Sequence, residues 1–118
     1  MVKLHRICVV TATRAEYGLL SPVIGELRKY ESDQLKVELV VTGTHLSQHY
    51  GMTVQEIEKS GQRIDKLIKI PVESMSAMDI SCNQAEALVK FTELFAVKHY
   101  NAVLLLGDRY EMLMVAVA

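Results

Sequence analysis

The chain has 118 residues, half of them apolar, with 13 basic and 14 acidic side chains and a formal net charge of −1. That is enough material for one domain with a real core. The near-neutral, scattered charge gives no electrostatic case for nucleic acid or for an anionic membrane surface as a partner.

In chain order, "RICVVTA" (residues 6–12) is a β-branched run suited to a strand covered on both faces. Cys8 lies in it and Cys82 lies far along the chain. Two such unpatterned cysteines fit neither a disulfide framework nor a zinc site, and they indicate reduced thiols in the cytoplasm. The N-terminal apolar run is too short for a signal peptide, and no uncharged stretch could span a bilayer. A soluble, cytoplasmic protein is expected.

Leu19, Leu20, Val23, Ile24 and Leu27 then recur at helical spacing. Pro22 interrupts this stripe. Either one helix kinks there, or a turn around Gly18 precedes a helix that Ser21 caps and Pro22 begins.

"LKVELVVTG" predicts a second strand ended by Gly43, and "TVQE" predicts a capping box with Thr53 as cap and Glu56 as its partner. The short helix so begun closes at Gly61. "RIDKLIKI", running into Pro71, predicts a third strand near a sheet edge. Residues 77–99 form the longest helical pattern, with Ile80, Ala87, Leu88, Phe91, Leu94 and Phe95 on one face. "NAVLLLGD" is a fourth strand and "RYEMLMVAVA" an apolar helix without a stop signal. That ending points to a segment of something longer, whose first domain would continue past residue 118.

Strands alternating with helices imply βα units, and right-handed crossovers make them a doubly wound parallel sheet with helices on both faces. Ligands of such sheets gather beyond the strands' carboxyl ends. "TATRAEYG", "TGTHLSQHYG" and "LGDRYE" all reach that edge.

In the first of these, Thr13 and Glu16 fit a capping box, so Glu16 needs no role beyond shaping the turn. Arg14 opposes the helix dipole. A bound anion would remove the conflict, and a solvent-facing side chain is the alternative. Asp108 and Glu111 also fit a capping box, yet Asp108 beside Arg109 could equally be an acid/base group next to an anion clamp. His45 and His49 stand one turn apart without an intervening Glu or a third ligand, which argues against a metal. His45 could donate to a ligand or pack. His5 and His99 flank strands and read as structural. The chain carries no GxGxxG, GxxxxGK[ST] or GxSxG motif.

Taken together, "TATRAEYGLLSP", "VVTGTHLSQHYG" and "LLLGDRYE" resemble the hydrolysing UDP-N-acetylglucosamine 2-epimerases in order and spacing along essentially the whole chain. The resemblance implies a GT-B architecture, two Rossmann-like domains with the active site between them, of which residues 1–118 would be the first part. It implies anti elimination of UDP to a glycal, followed by hydration to N-acetylmannosamine. No metal or redox cofactor is used, and homodimers or tetramers are usual.

Carried over by position, Arg14 and Arg109 would bind the nucleotide phosphates, with Gly18 and His45 in the same substrate-binding set. Asp108 and Glu111 would be the catalytic carboxylates. Leu106 stands where relatives often carry His. Ala15 and Leu19 replace the Pro and Lys of the non-hydrolysing "TRPEAIK" turn, which favours the hydrolysing branch. A UDP-diacetamido-trideoxy sugar as substrate, the non-hydrolysing reaction, and a stand-alone flavodoxin-like binding module are the alternatives.

Overall fold

A computed structural model describes residues 3–118. Four parallel strands, β1 (His5–Thr11), β2 (Leu35–Thr42), β3 (Lys66–Ile68) and β4 (Ala102–Leu104), form one sheet in the order β3-β2-β1-β4. Thr11 pairs with Val41, Val9 with Leu104, and Thr42 with Ile68.

The helices are α1 (Arg14–Arg28), α2 (Val54–Lys59), α3 (Ala77–Val97) and α4 (Tyr110–Val117). Two short 3₁₀ turns, Gly43–Leu46 and Gln48–Tyr50, link β2 to α2. Leu20 and Ile24 of α1 and Val54 and Ile57 of α2 pack with Val9 and Leu39 on one sheet face. Ala87, Phe91 and Leu94 of α3 and Met112 and Val115 of α4 cover Val10 and its neighbours on the other. Helices therefore lie on both faces, and the apolar runs of β1 and β2 are buried from both sides.

The chain winds outward from β1 through β2 to β3, then returns to place β4 on the far side of β1. The winding direction thus reverses between β1 and β4, the topological position beyond whose strand ends ligands of such sheets bind.

Of the two readings at Pro22 the single helix holds, since α1 runs through Gly18 and Pro22. Several other local expectations are corrected. The apolar stripe of α1 is narrower than the pattern implied, since Leu19 is 70% and Val23 42% exposed. In α3 the buried face is Asn83, Ala87, Phe91 and Leu94, while Ile80 is exposed. Asn83 holds that face through hydrogen bonds: its Nδ2 donates to Glu73 O and to Tyr110 Oη, both at 3.0 Å.

Residue Thr53 makes no capping bond to α2, because its hydroxyl is bonded to the His45 ring instead. Arg109, not Asp108, occupies the cap position of α4.

At the amino end of the sheet, Asp65 acts as an electrostatic clasp. Its Oδ2 accepts from Leu39 N at 2.7 Å and from Arg28 Nη2 at 2.9 Å, while Oδ1 accepts from Arg63 Nε at 2.9 Å. Arg63 continues to Glu31 at 3.2 Å, tying edge strand β3 to α1 and β2.

Burial, with the Glu38 carboxylate adding to it, pushes the Cys8 thiol up to about 12, whereas Cys82 is exposed. Only a thiolate reacts readily with electrophiles. Maleimide is therefore expected to modify Cys82 alone in the native protein and both cysteines in denaturant, as read by mass spectrometry. Rapid native labelling of Cys8 would contradict this packing.

Candidate functional site at the β1–β4 crevice

Three turns meet at the carboxyl edge of the sheet, and Ala12, the residue after β1, is where they lock together. Thr44 N and Thr44 Oγ1 both donate to Ala12 O, each at 2.9 Å. Gly43 makes this approach possible. Its φ is +63°, and a Cβ there would lie 2.8 Å from both Ala12 Cβ and Ala12 O. From the other side Ala12 N donates to Glu16 Oε1.

The capping box in the first turn thus forms in part. Thr13 Oγ1 accepts from Glu16 N at 3.2 Å, but the Glu16 carboxylate reaches back one residue beyond the cap. Glu16 is only 5% exposed. Burial raises its pKa above the ordinary carboxylate range, partly opposed by the bonds from Ala12, Thr11 and Thr13, and the Glu111 charge adds to the rise.

His45 is sealed into the second turn. One ring nitrogen, Nε2, pairs with Thr11 Oγ1 at 3.0 Å and the other, Nδ1, with Thr53 Oγ1 at 2.9 Å. Hydroxyls can serve either neutral tautomer. Burial pushes the His45 pKa down to about 4, so the ring is neutral near pH 7. With both nitrogens engaged inside the protein, His45 braces the edge and does not present a donor on its surface. The resemblance put His45 in the substrate-binding set; here the residue is 1% exposed.

Arg14 opens α1, and its side chain is 74% exposed, with Nε held by Glu56 Oε2 at 2.9 Å. An exposed pair of this kind adds little stability. It does keep the guanidinium over the carboxyl edge.

Across the crevice, β4 runs into Gly107, Asp108 and Arg109. Gly107 has φ +104°, and a Cβ on it would meet Glu16 Oε2 at 2.5 Å. Asp108 is exposed and makes no hydrogen bond among the described residues. Arg109 Nε donates to Glu111 Oε1 at 2.6 Å, and its guanidinium carbon sits 5.6 Å from the Tyr110 ring centre. Burial works against the Arg109 charge, but the Glu111 carboxylate more than offsets this and holds the pKa above its ordinary value. Glu111 itself is 0% exposed. Its carboxylate is thus held by Arg109 and out of solvent, whereas the resemblance made it a catalytic carboxylate. Gly18 is exposed on α1, with open space around its Cα.

The structure thus brings Arg14, Asp108 and Arg109 to one edge, with Glu16, His45 and Glu111 buried beneath it. Sequence reasoning gave no place at this edge to Thr11 or Gly107, and it read Thr53 and Glu56 only as a capping pair, whereas they hold His45 and Arg14. Gly107, a glycine between an apolar strand and a charged turn, carried a local signal. Among the described residues no group of three or more His, Cys, Asp or Glu side chains is placed to hold a metal ion. No helix among them is long and apolar enough to cross a membrane.

The chain is similar to known proteins over nearly all of its length. Residues 28–118 match the family model described as UDP-N-acetylglucosamine 2-epimerase. The chain is 40% identical over 117 residues to a Legionella pneumophila protein named UDP-N,N'-diacetylbacillosamine 2-epimerase (hydrolyzing), covering 98% of this chain and 30% of that one. It is 36% identical over 115 residues to the Escherichia coli polysialic acid biosynthesis protein P7, covering 98% and 29% respectively.

A crystal structure of UDP-N-acetylglucosamine 2-epimerase superposes with a TM-score of 0.79 at 24% identity, over 98% of this chain and 30% of that one. A Listeria monocytogenes structure described as a putative UDP-N-acetylglucosamine 2-epimerase gives 0.77 at 20% identity, over 99% of this chain and 28% of that one. The fold is thus that of part of a GT-B enzyme, and the chain spans about three tenths of the length of the curated relatives it matches. Because that family model matches residues 28–118, most of the chain, the chain belongs to the UDP-N-acetylglucosamine 2-epimerase family.

Proposed function

We propose that the chain is the first part of a hydrolysing UDP-sugar 2-epimerase, with UDP-N-acetylglucosamine as substrate and N-acetylmannosamine and UDP as products. The observation that carries this reading is the placement of Arg14, Asp108 and Arg109 at the reversal of winding between β1 and β4. Loss of UDP builds charge on a diphosphate oxygen. Guanidinium groups fixed beforehand at that position stabilise the transition state more than the bound substrate. Removal of the weakly acidic C2 proton calls for a carboxylate, and Asp108 is the one at this rim with no internal partner among the described residues. Water then adds to the glycal on the opposite face. The enzyme needs neither metal nor redox cofactor in this scheme, and it would work as a homo-oligomer in the cytoplasm.

A second substrate reading has a specific observation behind it. The Legionella relative at 40% identity and a Campylobacter jejuni relative at 37% are both named as hydrolysing epimerases of diacetylbacillosamine nucleotides. A Neisseria meningitidis protein named UDP-N-acetylglucosamine 2-epimerase is 24% identical.

The test is to incubate the full-length enzyme with each UDP-sugar and follow products by NMR. Free UDP with an inverted C2 is expected, and the preferred sugar decides between the two substrates. A product that retains UDP would show the non-hydrolysing reaction instead. Arg14→Ala is expected to weaken UDP binding about 10- to 100-fold in calorimetry, the loss of one charge-assisted phosphate contact. Unchanged affinity would remove Arg14 from the site.

A further inference from the structure

Within the nucleotide-sugar reading, on which this step rests, we infer that Glu111 is the positioning residue for Arg109. From beneath the β4–α4 turn it grips the guanidinium by Nε and leaves both Nη groups to a diphosphate.

Three observations meet here. The Arg109 Nε–Glu111 Oε1 bond is 2.6 Å long, and Glu111 is 0% exposed, so its carboxylate touches Arg109 and not the crevice. Arg109 is partly exposed, and of its guanidinium nitrogens only Nε has a protein partner among the described residues. The outward nitrogens are those that make the parallel pair of bonds to phosphate oxygens. Finally, Glu111 Oε2 is buried with no hydrogen-bond partner among the described residues.

An ion pair whose carboxylate is buried with one unsatisfied oxygen is poor design for stability. Desolvation consumes most of the attraction, and an apolar pair of the same volume would serve as well or better. Its use lies in direction. Rigid attachment at Nε fixes the plane of the guanidinium before any ligand arrives, so less conformational freedom is lost on binding.

The turn is also held from the opposite side. Glu16 Oε2 fills the space that a side chain at 107 would need. Asp108 and Arg109 are therefore carried on a turn pinned by Glu16 at its entry and Glu111 at its exit. The Glu111 charge is felt at Glu16, which is consistent with both carboxylates lying beneath one turn.

The experiment uses the full-length protein, with UDP as the probe and calorimetry as the readout. Glu111→Ala should lose about 10- to 100-fold in UDP affinity, the scale of effect of a misplaced positioning group. Arg109→Ala should lose a similar factor, and the double variant little more, because the two residues act as one unit. Glu111→Gln should retain most of the affinity, since its amide oxygen can still accept from Nε. Glu111→Asp keeps the charge but shortens the reach. It should lose affinity, and it answers the question should the alanine variant not fold.

Wild-type UDP affinity in Glu111→Ala or Glu111→Asp would overturn the inference. So would a Glu111→Gln variant that binds UDP normally but has lost turnover, which would make Glu111 a proton-transfer group. The Arg109 Nε–H resonance in ligand-free protein should exchange slowly in the wild type and rapidly in Glu111→Ala. An unprotected wild-type Nε–H overturns the inference whatever UDP does. A protected Nε–H in a protein that does not bind UDP overturns the proposed function alone.

Discussion

Gly43→Ala is expected to destabilise the protein by about 2–5 kcal/mol, read as a lowered midpoint of urea unfolding. Two costs add. Gly43 has φ +63°, where an L residue is disfavoured by about 1–2 kcal/mol. The new methyl would also sit 2.8 Å from Ala12 Cβ and Ala12 O, and overpacking of this kind costs about 1–3 kcal/mol. Backbone cannot swing aside as a flexible side chain can. Ala12 is moreover fixed by bonds from Thr44 and to Glu16. Gly25→Ala is the matched control. Gly25 lies inside α1 with nothing within 4 Å of its would-be Cβ, so alanine there should stabilise by about 0.5–1 kcal/mol. Equal effects at the two glycines would refute the close contact between the β1 and β2 turns.

The second large effect is a loss of stability in acid traceable to His45. Its pKa is lowered from 6.5 in the unfolded chain to about 4 in the fold. Between these values the unfolded chain binds the proton and the native protein does not. The stabilisation is therefore complete above pH 6.5 and drains away as the pH falls towards 4, by about 3 kcal/mol in all. Glu16 works in the opposite sense. Its raised pKa favours the fold as the pH drops through it, so the two partly cancel at the acid end. The measurement that isolates His45 is the difference in unfolding free energy between wild type and His45→Gln from pH 7 to pH 4. That difference should shrink steadily on acidification. If it does not vary with pH, the ring is not buried in its neutral form.

Much of the architecture was legible because it rests on long-period signals. The continuous apolar runs of β1 and β2 and the 21-residue α3 leave few other ways to bury such faces. The edge position of β3 and the meeting of three turns at the carboxyl end follow from those runs and the handedness of crossovers. What the sequence hid was competition between local and distant partners. "TVQE" reads as a capping box, but the Thr53 hydroxyl has a buried imidazole to satisfy and leaves the helix end without it. "DRYE" reads as another, yet Glu111 is taken by Arg109. No pattern could pair Arg14 with Glu56, which a different helix brings across. Ile80 against Asn83 is the same lesson in α3: an amide with two good acceptors displaced an apolar residue from the covered face.

The Asp65 clasp lies at the opposite end of the strands from the crevice. Its members are 11% to 56% exposed, so added electrolyte reaches them, with a Debye length of about 3 Å at 1 M against about 8 Å at physiological strength. Concentrated salt should therefore fray β3 from its Asp65 end. The carboxylates of Glu16 and Glu111, being buried, should hardly respond. Ionic strength becomes a way to loosen one rim of this molecule while leaving the other intact.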